Sequence, residues 1–416
     1  MRIVQVGTNL SGGAAKAMLR LNVAIQNLGI DSVIIRKNEI FKKAPSYNII
    51  EKIKRKLITI NIKDDWELEV LNNQLNSART EGLEMTSLPL SAFDLTKYPE
   101  YASADIIHLH WVSELLDWPT FFAKNRKPVV WTLHDKNPFS GTEHYDNSFS
   151  GIDKNGEPEL REKSNDEIQL SDRWLNLKRE VIKKRKCEIY VVSPSAWLLN
   201  ESLKSDLFSE FPHSMIPYGL DETIFINRNR EESRRFFNIP DDQLVLLFVA
   251  DNITNKRKGL DYLLKAIDNV KNEAKLIVYS IGNSNENNDK GGICALGRIE
   301  DEDTMAKAYS AADAFIIPSL EDNLPNTMIE SLMCGTPVIG FPVGGIAETI
   351  EDGVNGYLCD EISVNALEKT IKKYIENKNL FNREQISLDA RKKFSGDIQA
   401  RAYLDLYKKI LNNKMA

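Results

Sequence analysis

Short apolar runs rich in β-branched residues alternate with stretches of helical spacing over most of the chain. This alternation is typical of βαβ units, in which parallel strands form a sheet that helices cover on both faces. The predicted strands are Arg2–Val6, Ser32–Arg36, Ile106–Leu109, Val129–Leu133, Ile189–Val192, Val245–Ala250, Lys275–Ser280, Ala314–Pro318 and Val338–Phe341. The sequence therefore predicts an α/β fold built on parallel sheet.

The series of strands restarts near residue 217, after a segment that Pro217 and Gly219 punctuate. With 416 residues, the chain is long enough for two domains that each bury a core. We therefore predict two Rossmann-like domains, residues 1–216 and 217–395, followed by an amphipathic helix over residues 396–416.

Charge and cysteine content exclude several classes of protein. The 60 acidic residues outnumber the 54 basic ones, and the net charge of −6 argues against a dedicated nucleic-acid binder. The four cysteines lie far apart, without a metal-binding or disulfide pattern, so we expect reduced thiols and a cytoplasmic protein. Met1 leads directly into a predicted strand instead of a secretory leader. The longest apolar run has seven residues, whereas a bilayer span takes about 20, so any membrane contact is expected to be peripheral.

Ligands of open α/β sheets bind at the carboxyl ends of the strands, so the loops after the strands are the candidates for chemistry. The first strand is followed by Ser11-Gly12-Gly13-Ala14 and then by a helical pattern. Such a loop either brings backbone N–H groups to an anion or makes a tight structural turn. It lacks the dinucleotide-binding spacing, and the second strand ends in Arg36 instead of a carboxylate, which argues against a dinucleotide oxidoreductase.

Three histidines lie in or directly after two of the predicted strands in the first half. His134 follows the strand Val129–Leu133, where its imidazole either serves a cleft or orders the turn that follows. We interpret it as functional. His108 and His110 share one face of a strand but have no acidic or cysteine ligand at metal spacing, so we expect them to be packed or hydrogen-bonded.

The loop and helix from Pro318 to Glu330 form the most informative stretch of the second half. Glu321 and Asp322 follow a strand, and the pattern predicts a helix that starts near Pro325. Amide groups near the start of that helix, in the stretch Leu324, Pro325, Asn326 and Thr327, would hold a diphosphate. Glu330, one turn further, suits a ribose diol, and the turn Lys256-Arg257-Lys258 supplies cations.

Taken together, these motifs resemble those of retaining family 4 glycosyltransferases of the GT-B type, in which two Rossmann-like domains face each other across a cleft. The resemblance is to the branch that acts in bacterial exopolysaccharide, colanic-acid-like or lipopolysaccharide assembly. It spans nearly the whole chain. The stretches that carry it are Ser11–Ala14, Ile107–Trp111, Trp131–Asp135, Ser193–Trp197, Arg257–Gly259 and Pro318–Gly345.

The resemblance assigns roles in the second half. The family's paired glutamates, separated by seven residues, map onto Asp322 and Glu330, and the sequence leaves open whether Glu321 takes the first position instead. Glu330 would bind the nucleotide ribose, and the acidic loop would meet the donor sugar or its phosphates. Lys258 matches the diphosphate lysine. Asn252 stands where the family has an arginine, so Lys256 or Arg257 would have to compensate.

The resemblance also assigns residues of the first half. His134 matches the active-site histidine near the donor sugar, and Gly12 and Gly13 match the loop against the phosphates. The closing helix would cross back to the first domain.

From its place in the second half, after a strand and a polar loop, we expect Arg298 to lie near the nucleotide base.

The predicted function is transfer of a sugar, with retention, from a UDP- or GDP-sugar to a glycan or lipid-linked oligosaccharide acceptor in cell-surface polysaccharide synthesis. The first domain would hold the acceptor and the second the donor. Protein cations would stabilise the leaving diphosphate, which itself takes the acceptor's proton, so we predict no metal ion and no cofactor. The alternatives are a sugar-nucleotide epimerase of the same fold and a non-catalytic sugar-nucleotide-binding subunit.

Two further segments stand out. Residues 51–63 carry five cations among Ile and Leu residues, which fits either contact with the inner membrane or an ordinary surface helix. Residues 137–178 are polar, rich in turn-forming residues and poor in strand patterns, and too long for a plain connection. We interpret this second segment as a functional insertion or a mobile loop.

Overall fold

The computed structural model describes residues 1–8, 12–37, 71, 73, 75, 77, 83–146, 148–253, 255–270, 275–283 and 293–413. Strands in these ranges are β1 Arg2–Gly7, β2 Asp31–Arg36, β3 Ile106–Leu109, β4 Val129–Thr132, β5 Phe149–Ile152, β6 Pro158–Leu160, β7 Ile189–Ser193, β8 His213–Met215, β9 Leu244–Asn252, β10 Leu276–Asn283, β11 Ile293–Ala295, β12 Ala314–Ile317, β13 Val338–Gly340 and β14 Gly356–Leu358. Helices are α1 Gly13–Asn27, α2 Pro99–Ser103, α3 Trp118–Lys124, α4 Asn165–Lys183, α5 Ala196–Lys204, α6 Arg230–Phe236, α7 Leu260–Val270, α8 Glu302–Ala311, α9 Asn326–Met333, α10 Gly344–Thr349, α11 Val364–Asn377, α12 Arg383–Phe394 and α13 Gly396–Asn413.

The strands form two six-stranded sheets, one in each half of the chain, in the orders β2-β1-β3-β4-β7-β8 and β11-β10-β9-β12-β13-β14. Neighbouring strands within each of these sheets run parallel. Each sheet has the strand-order reversal of a doubly wound fold, which opens a crevice at the carboxyl ends of its strands.

The strands that the sequence predicts are confirmed to within three residues at either end. Their interiors are continuous apolar runs because both faces are covered, as in Leu244–Phe248 of β9, where every residue is buried. The three-residue edge strands β8, β11 and β14 and the hairpin β5–β6 were not predicted. A strand of three residues shows no more than one alternation of side chains, which is too short a pattern to detect.

The closing helix α13 packs against α1 beneath the first sheet. Its Tyr403 hydroxyl lies 2.6 Å from Oγ1 of Thr132, and its Tyr407 hydroxyl lies 2.7 Å from Nδ1 of His108. The chain crosses between the halves twice at one place, where Leu220 binds the backbone on either side of residue 395. The helix α13 lies within the range 396–416 that was predicted to be helical, and the predicted domain boundaries at 216 and 395 lie beside this crossing.

The segment 137–178 contains more regular structure than the sequence suggested. It holds the antiparallel hairpin β5–β6 and most of helix α4, which begins with a capping box of Ser164 and Glu167. That S-x-x-E pattern is a helix-start signal that the sequence analysis did not use. The hairpin reaches the second half, where Val364 N donates to Gly156 O at 2.9 Å.

The predicted membrane-contact segment 51–63 lies outside the described residues. In the part of the chain that the structure describes, no helix combines the length and apolarity needed to cross a bilayer.

Candidate functional site

Loops at the carboxyl ends of the two sheets meet face to face. Asn326 Nδ2, at the start of α9, donates to Gly13 O at the start of α1, 2.9 Å away. Ser195 Oγ donates to Oδ1 of Asn323 at 2.6 Å, and Asn323 Nδ2 donates to the backbone oxygen of His134 at 3.2 Å. The predicted loops of both halves are therefore brought into direct contact where the two sheets face each other.

A short turn of 3₁₀ helix, Lys256–Lys258, sets two cations beside the acidic loop. Nζ of Lys258 lies 2.6 Å from Oδ2 of Asp322, and Nη1 of Arg257 lies 3.3 Å from the same oxygen. Gly259 ends the turn at φ 71°, and a Cβ there would lie 1.8 Å from the Pro318 carbonyl oxygen. Glycine at this position lets the turn approach the strand-end loop closely enough for the ion pairs to form.

Charge around this cluster is balanced by pairing. Burial by itself would raise the pKa of Asp322, but the charges of Lys258 and Arg257 hold that pKa below its ordinary value. Burial and the neighbouring Arg257 lower the pKa of Lys258, while Asp322 opposes them. A ligand with negative charge would meet two cations that share one carboxylate.

Arg257 is held by residues from the first half that the sequence analysis missed. Its Nε lies 2.7 Å from Oε2 of Glu84, and its guanidinium carbon lies 3.9 Å from the centre of the Tyr145 ring. Its Nη1 also donates to the backbone oxygen of Glu321 at 2.7 Å. Glu84 belongs to no recognisable motif, so no pattern in the sequence marked it.

The two acidic residues of the loop point to different partners. While Asp322 faces Lys258, Oε2 of Glu321 accepts the Asp146 N–H at 2.8 Å, and Oε1 lies 3.3 Å from Nζ of Lys136. Burial and the nearby Asp146 raise the pKa of Glu321, and Lys136 partly offsets them. Glu321 therefore bridges to the first half, and Asp322 stays with the cations of the second.

Glu330 lies on α9 with both carboxylate oxygens engaged. Arg20 Nη2, from α1, donates to Oε1 at 2.7 Å, and the Tyr309 hydroxyl donates to Oε2 at 2.9 Å. The side chain is 3% exposed. Each carboxylate oxygen accepts two hydrogen bonds, so this arrangement orients Glu330 and still leaves acceptor capacity. Arg20 and Tyr309 were not predicted, because they lie in helices without motif character.

His134 is buried, with protein partners at both ring nitrogens. Its Nδ1 lies 2.7 Å from the Tyr218 hydroxyl and its Nε2 lies 3.1 Å from Nδ1 of His110. His110 Nε2 in turn lies 3.0 Å from Oε1 of Gln5. Burial lowers the pKa of His134 to about 4, so the ring is neutral near pH 7. The expectation that His108 and His110 are hydrogen-bonded is confirmed.

A second polar cluster, absent from the sequence analysis, lies next to His134. Oδ2 of Asp135 lies 2.5 Å from Nδ1 of His144, whose Nε2 lies 2.7 Å from the Ser87 hydroxyl. The Trp111 indole N–H also donates to Asp135 at 3.0 Å. The connectivity is that of a Ser-His-Asp triad, but Ser87 is 1% exposed, so the cluster fastens the loop after β4 instead of presenting a nucleophile.

The remaining predicted residues differ in their positions. Gly12 caps α1 at φ 92°, and Leu324, Pro325, Asn326 and Thr327 lead into α9, whose N-cap Pro325 supplies no side-chain hydrogen bond. Met328 N and Ile329 N donate to the Pro325 carbonyl oxygen, so it is the N–H groups of Asn326 and Thr327 that this cap leaves for another acceptor. Arg298 lies on the loop after β11, 42% exposed, and pairs with Glu300 at 3.1 Å, not with the cluster.

The described ranges offer little to a metal ion. There, no three His, Cys, Asp or Glu side chains come together as a metal ion would require. The triplet Asp301-Glu302-Asp303 has the D-x-D spacing that can hold a metal ion, but both aspartates have other partners. Asp301 caps α8 by accepting from Thr304 N at 2.8 Å, and Asp303 pairs with Arg228 at 2.6 Å.

Sequence comparisons show which known proteins the chain is similar to. Residues 243–377 match the sequence model of a family described as Glycosyl transferases group 1. The chain is 28% identical over 280 residues to D-inositol 3-phosphate glycosyltransferase of Thermobifida fusca, covering 62% of this chain and 58% of that protein. It is 28% identical over 219 residues to glycogen synthase of Thermodesulfovibrio yellowstonii, covering 49% and 43%. The chain spans about three fifths of the length of the first relatives that it matches.

Solved structures share the complete fold. Sucrose-phosphate synthase from Thermosynechococcus elongatus has a TM-score of 0.69 at 16% identity, covering 99% of this chain and 100% of that one. HepE from Anabaena, in complex with UDP and glucose, has a TM-score of 0.63 at 14% identity, covering 98% and 99%. The predicted GT-B fold is confirmed. The matched family and the relatives are glycosyltransferases and a glycogen synthase, and their names do not single out the surface-polysaccharide branch that the motifs suggested.

Proposed function

We propose that this protein transfers a sugar from a nucleoside-diphosphate sugar to a glycan or lipid-linked acceptor, with retention of configuration and without a metal ion or cofactor. One observation carries the proposal. Lys258 and Arg257 converge on Asp322, in the loop between β12 and α9, and that helix has no side-chain cap at Pro325 and carries Glu330 about one turn inside it. The cations and the N–H groups suit the diphosphate of a nucleotide, and the carboxylate of Glu330 suits its ribose.

The chemistry follows from these groups. When the bond between the sugar's anomeric carbon and the phosphate oxygen breaks, the electron pair stays on the diphosphate. Lys258, Arg257 and the amides of α9 would stabilise that developing charge in a partly dry cleft. The acceptor hydroxyl attacks the anomeric carbon from the side that the phosphate leaves, and its proton passes to a phosphate oxygen. Because the leaving diphosphate takes this proton, the reaction needs no protein side chain as a base.

Glu330 would bind the ribose hydroxyls. Arg20 and Tyr309 hold its carboxylate in one orientation, which reduces the entropy lost when a diol binds. His134, neutral and bound at both ring nitrogens, would contact the sugar through its ring edge instead of exchanging a proton. Gly12 and Gly13 would lie against the phosphates on the opposite side, where Asn326 already joins the two loops.

The comparisons make a uracil nucleotide the first choice to test. HepE is described in complex with UDP and with UDP-glucose, which supports a nucleoside-diphosphate sugar as donor. We propose UDP- or GDP-sugars as donors, a glycan or glycolipid acceptor, and a cytoplasmic enzyme at the membrane surface. The surface-polysaccharide role rests on the sequence resemblance.

The test is an assay of nucleoside diphosphate release. The protein is incubated with UDP-sugars and GDP-sugars, each with and without a glycolipid extract. Release that requires acceptor supports transfer. Conversion of one sugar nucleotide into another supports an epimerase, binding without turnover supports a non-catalytic subunit, and either result rejects the proposed reaction.

A further inference from the structure

Two neighbouring cations of the turn after β9 are directed to different places. Lys256 Nζ donates to the backbone oxygen of Ser150, in the hairpin β5–β6, at 2.8 Å. Arg257 instead lies against Asp322, the carboxylate that also binds Lys258. Asn252 stands where the resembled family has an arginine, and Lys256 and Arg257 are the two candidates to compensate for it. The geometry favours Arg257.

Besides Asp322, three groups hold the guanidinium of Arg257, and two of these three come from the first half of the chain. Glu84 Oε2 binds Nε at 2.7 Å, and the same oxygen accepts Asn255 Nδ2 at 2.9 Å. The ring of Tyr145, 8% exposed, lies below the guanidinium plane. The third group is the Glu321 backbone oxygen, bound by Nη1. A planar guanidinium that is bound along one edge and on one face has little freedom to rotate.

We propose that Glu84 is a positioning residue that binds Nε of Arg257 across the cleft and thereby turns the Nη groups toward the site where the donor's diphosphate binds. The inference rests on the proposed function. It means that the phosphate site is completed by both halves of the chain: the cation belongs to the second, and the groups that aim it belong to the first.

If Glu84 acted only through its charge, its removal would strengthen phosphate binding instead of weakening it. Removing a carboxylate from a site for an anion raises the local positive potential and should strengthen phosphate binding. Positioning instead requires that the loss of Glu84 weakens binding, because Arg257 would then adopt other rotamers and pair more fully with Asp322. The sign of the change in affinity distinguishes the two accounts.

The experiment is calorimetric titration of the full-length protein with UDP and with GDP. The variants are Glu84→Ala, Arg257→Ala and the double variant, each checked for an unchanged circular dichroism spectrum. The matched control is Glu348→Ala, since Glu348 also joins the two halves, through the backbone N–H of Ala196 at 2.8 Å, but does not touch Arg257. The nucleotide that wild type binds more tightly is used throughout.

We expect Glu84→Ala to weaken binding about tenfold and the double variant to bind no more weakly than Arg257→Ala. Glu348→Ala should change affinity less than about threefold. Equal or tighter binding by Glu84→Ala, an equal loss in the control, or additive losses in the double variant would overturn the positioning role. If wild type itself binds neither nucleotide, the proposed function fails first, so the two failures are distinguishable.

Discussion

Nζ of Lys258 lies 2.6 Å from Oδ2 of Asp322. Under the proposed function, a donor diphosphate would bind where this ion pair lies. The pair is strong because the carboxylate is 8% exposed, yet a diphosphate offers Lys258 more negative charge than Asp322 does. Binding would then exchange one anionic partner for another at little desolvation cost to the lysine.

Replacing Lys258 with alanine should lower turnover at least tenfold, which corresponds to about 1.4 kcal/mol of transition-state stabilisation. The reason is the loss of a cation on the leaving diphosphate. Steady-state release of nucleoside diphosphate measures it. Lys256→Ala is the matched control because that ammonium binds the hairpin at Ser150 O, and its turnover should stay within about twofold.

Glu330→Ala should also reduce turnover at least tenfold, with the larger part of the effect in the KM for the donor. The same change leaves Arg20 with Glu302 as its remaining ion partner and should lower the free energy of unfolding by about 2 kcal/mol. Urea unfolding and donor KM separate the two effects. An unchanged donor KM in a folded variant would remove Glu330 from the ribose site.

Stability should fall as the pH drops below about 6.5. Burial lowers the pKa of His134 to about 4 and that of His108 to about 3, from 6.5. The folded-state pKa is thus depressed, so between these values the unfolded chain binds protons that the folded chain does not, and stability rises with pH. Each of the two histidines should cost about 2 kcal/mol between pH 6.5 and 5. Urea unfolding at several pH values checks this, and a flat profile contradicts it.

Tyr407→Phe should destabilise the protein by about 1–3 kcal/mol, because it leaves Nδ1 of the buried His108 without its hydroxyl partner. Tyr190→Phe is the matched control, since its hydroxyl binds Glu188 in an exposed setting. The control should change the free energy of unfolding by less than about 0.5 kcal/mol. Equal losses in both variants would show that α13 contributes no special contact to the first sheet.

The elements that sequence reasoning predicted are those with a repeating pattern or a motif. The central strands repeat apolar residues, as in β9, and the stretch around Glu330 carries helix-start and ribose-binding signals, so both were predictable. Glu84, Arg20 and Tyr309 were not, because their importance arises from tertiary contacts with Arg257 and Glu330 that no local spacing encodes.

His134 is a residue whose position could be predicted from the sequence but whose hydrogen-bond partners could not. Its place at the end of β4 was predicted, but its bonds to Tyr218 and His110 depend on how three separate segments pack. The sequence could not show that both ring nitrogens have protein partners; under the proposed function, this leaves His134 to contact the donor instead of transferring a proton.

The central claim is that the cations after β9 and the carboxylate of α9 grip one nucleotide from its two ends. A crystal structure of the protein soaked with UDP, and one soaked with GDP, tests it most directly. We predict a diphosphate within hydrogen-bond distance of Lys258 Nζ and Arg257, and a ribose on Glu330. A nucleotide bound elsewhere, with Lys258 still paired to Asp322, would contradict the account.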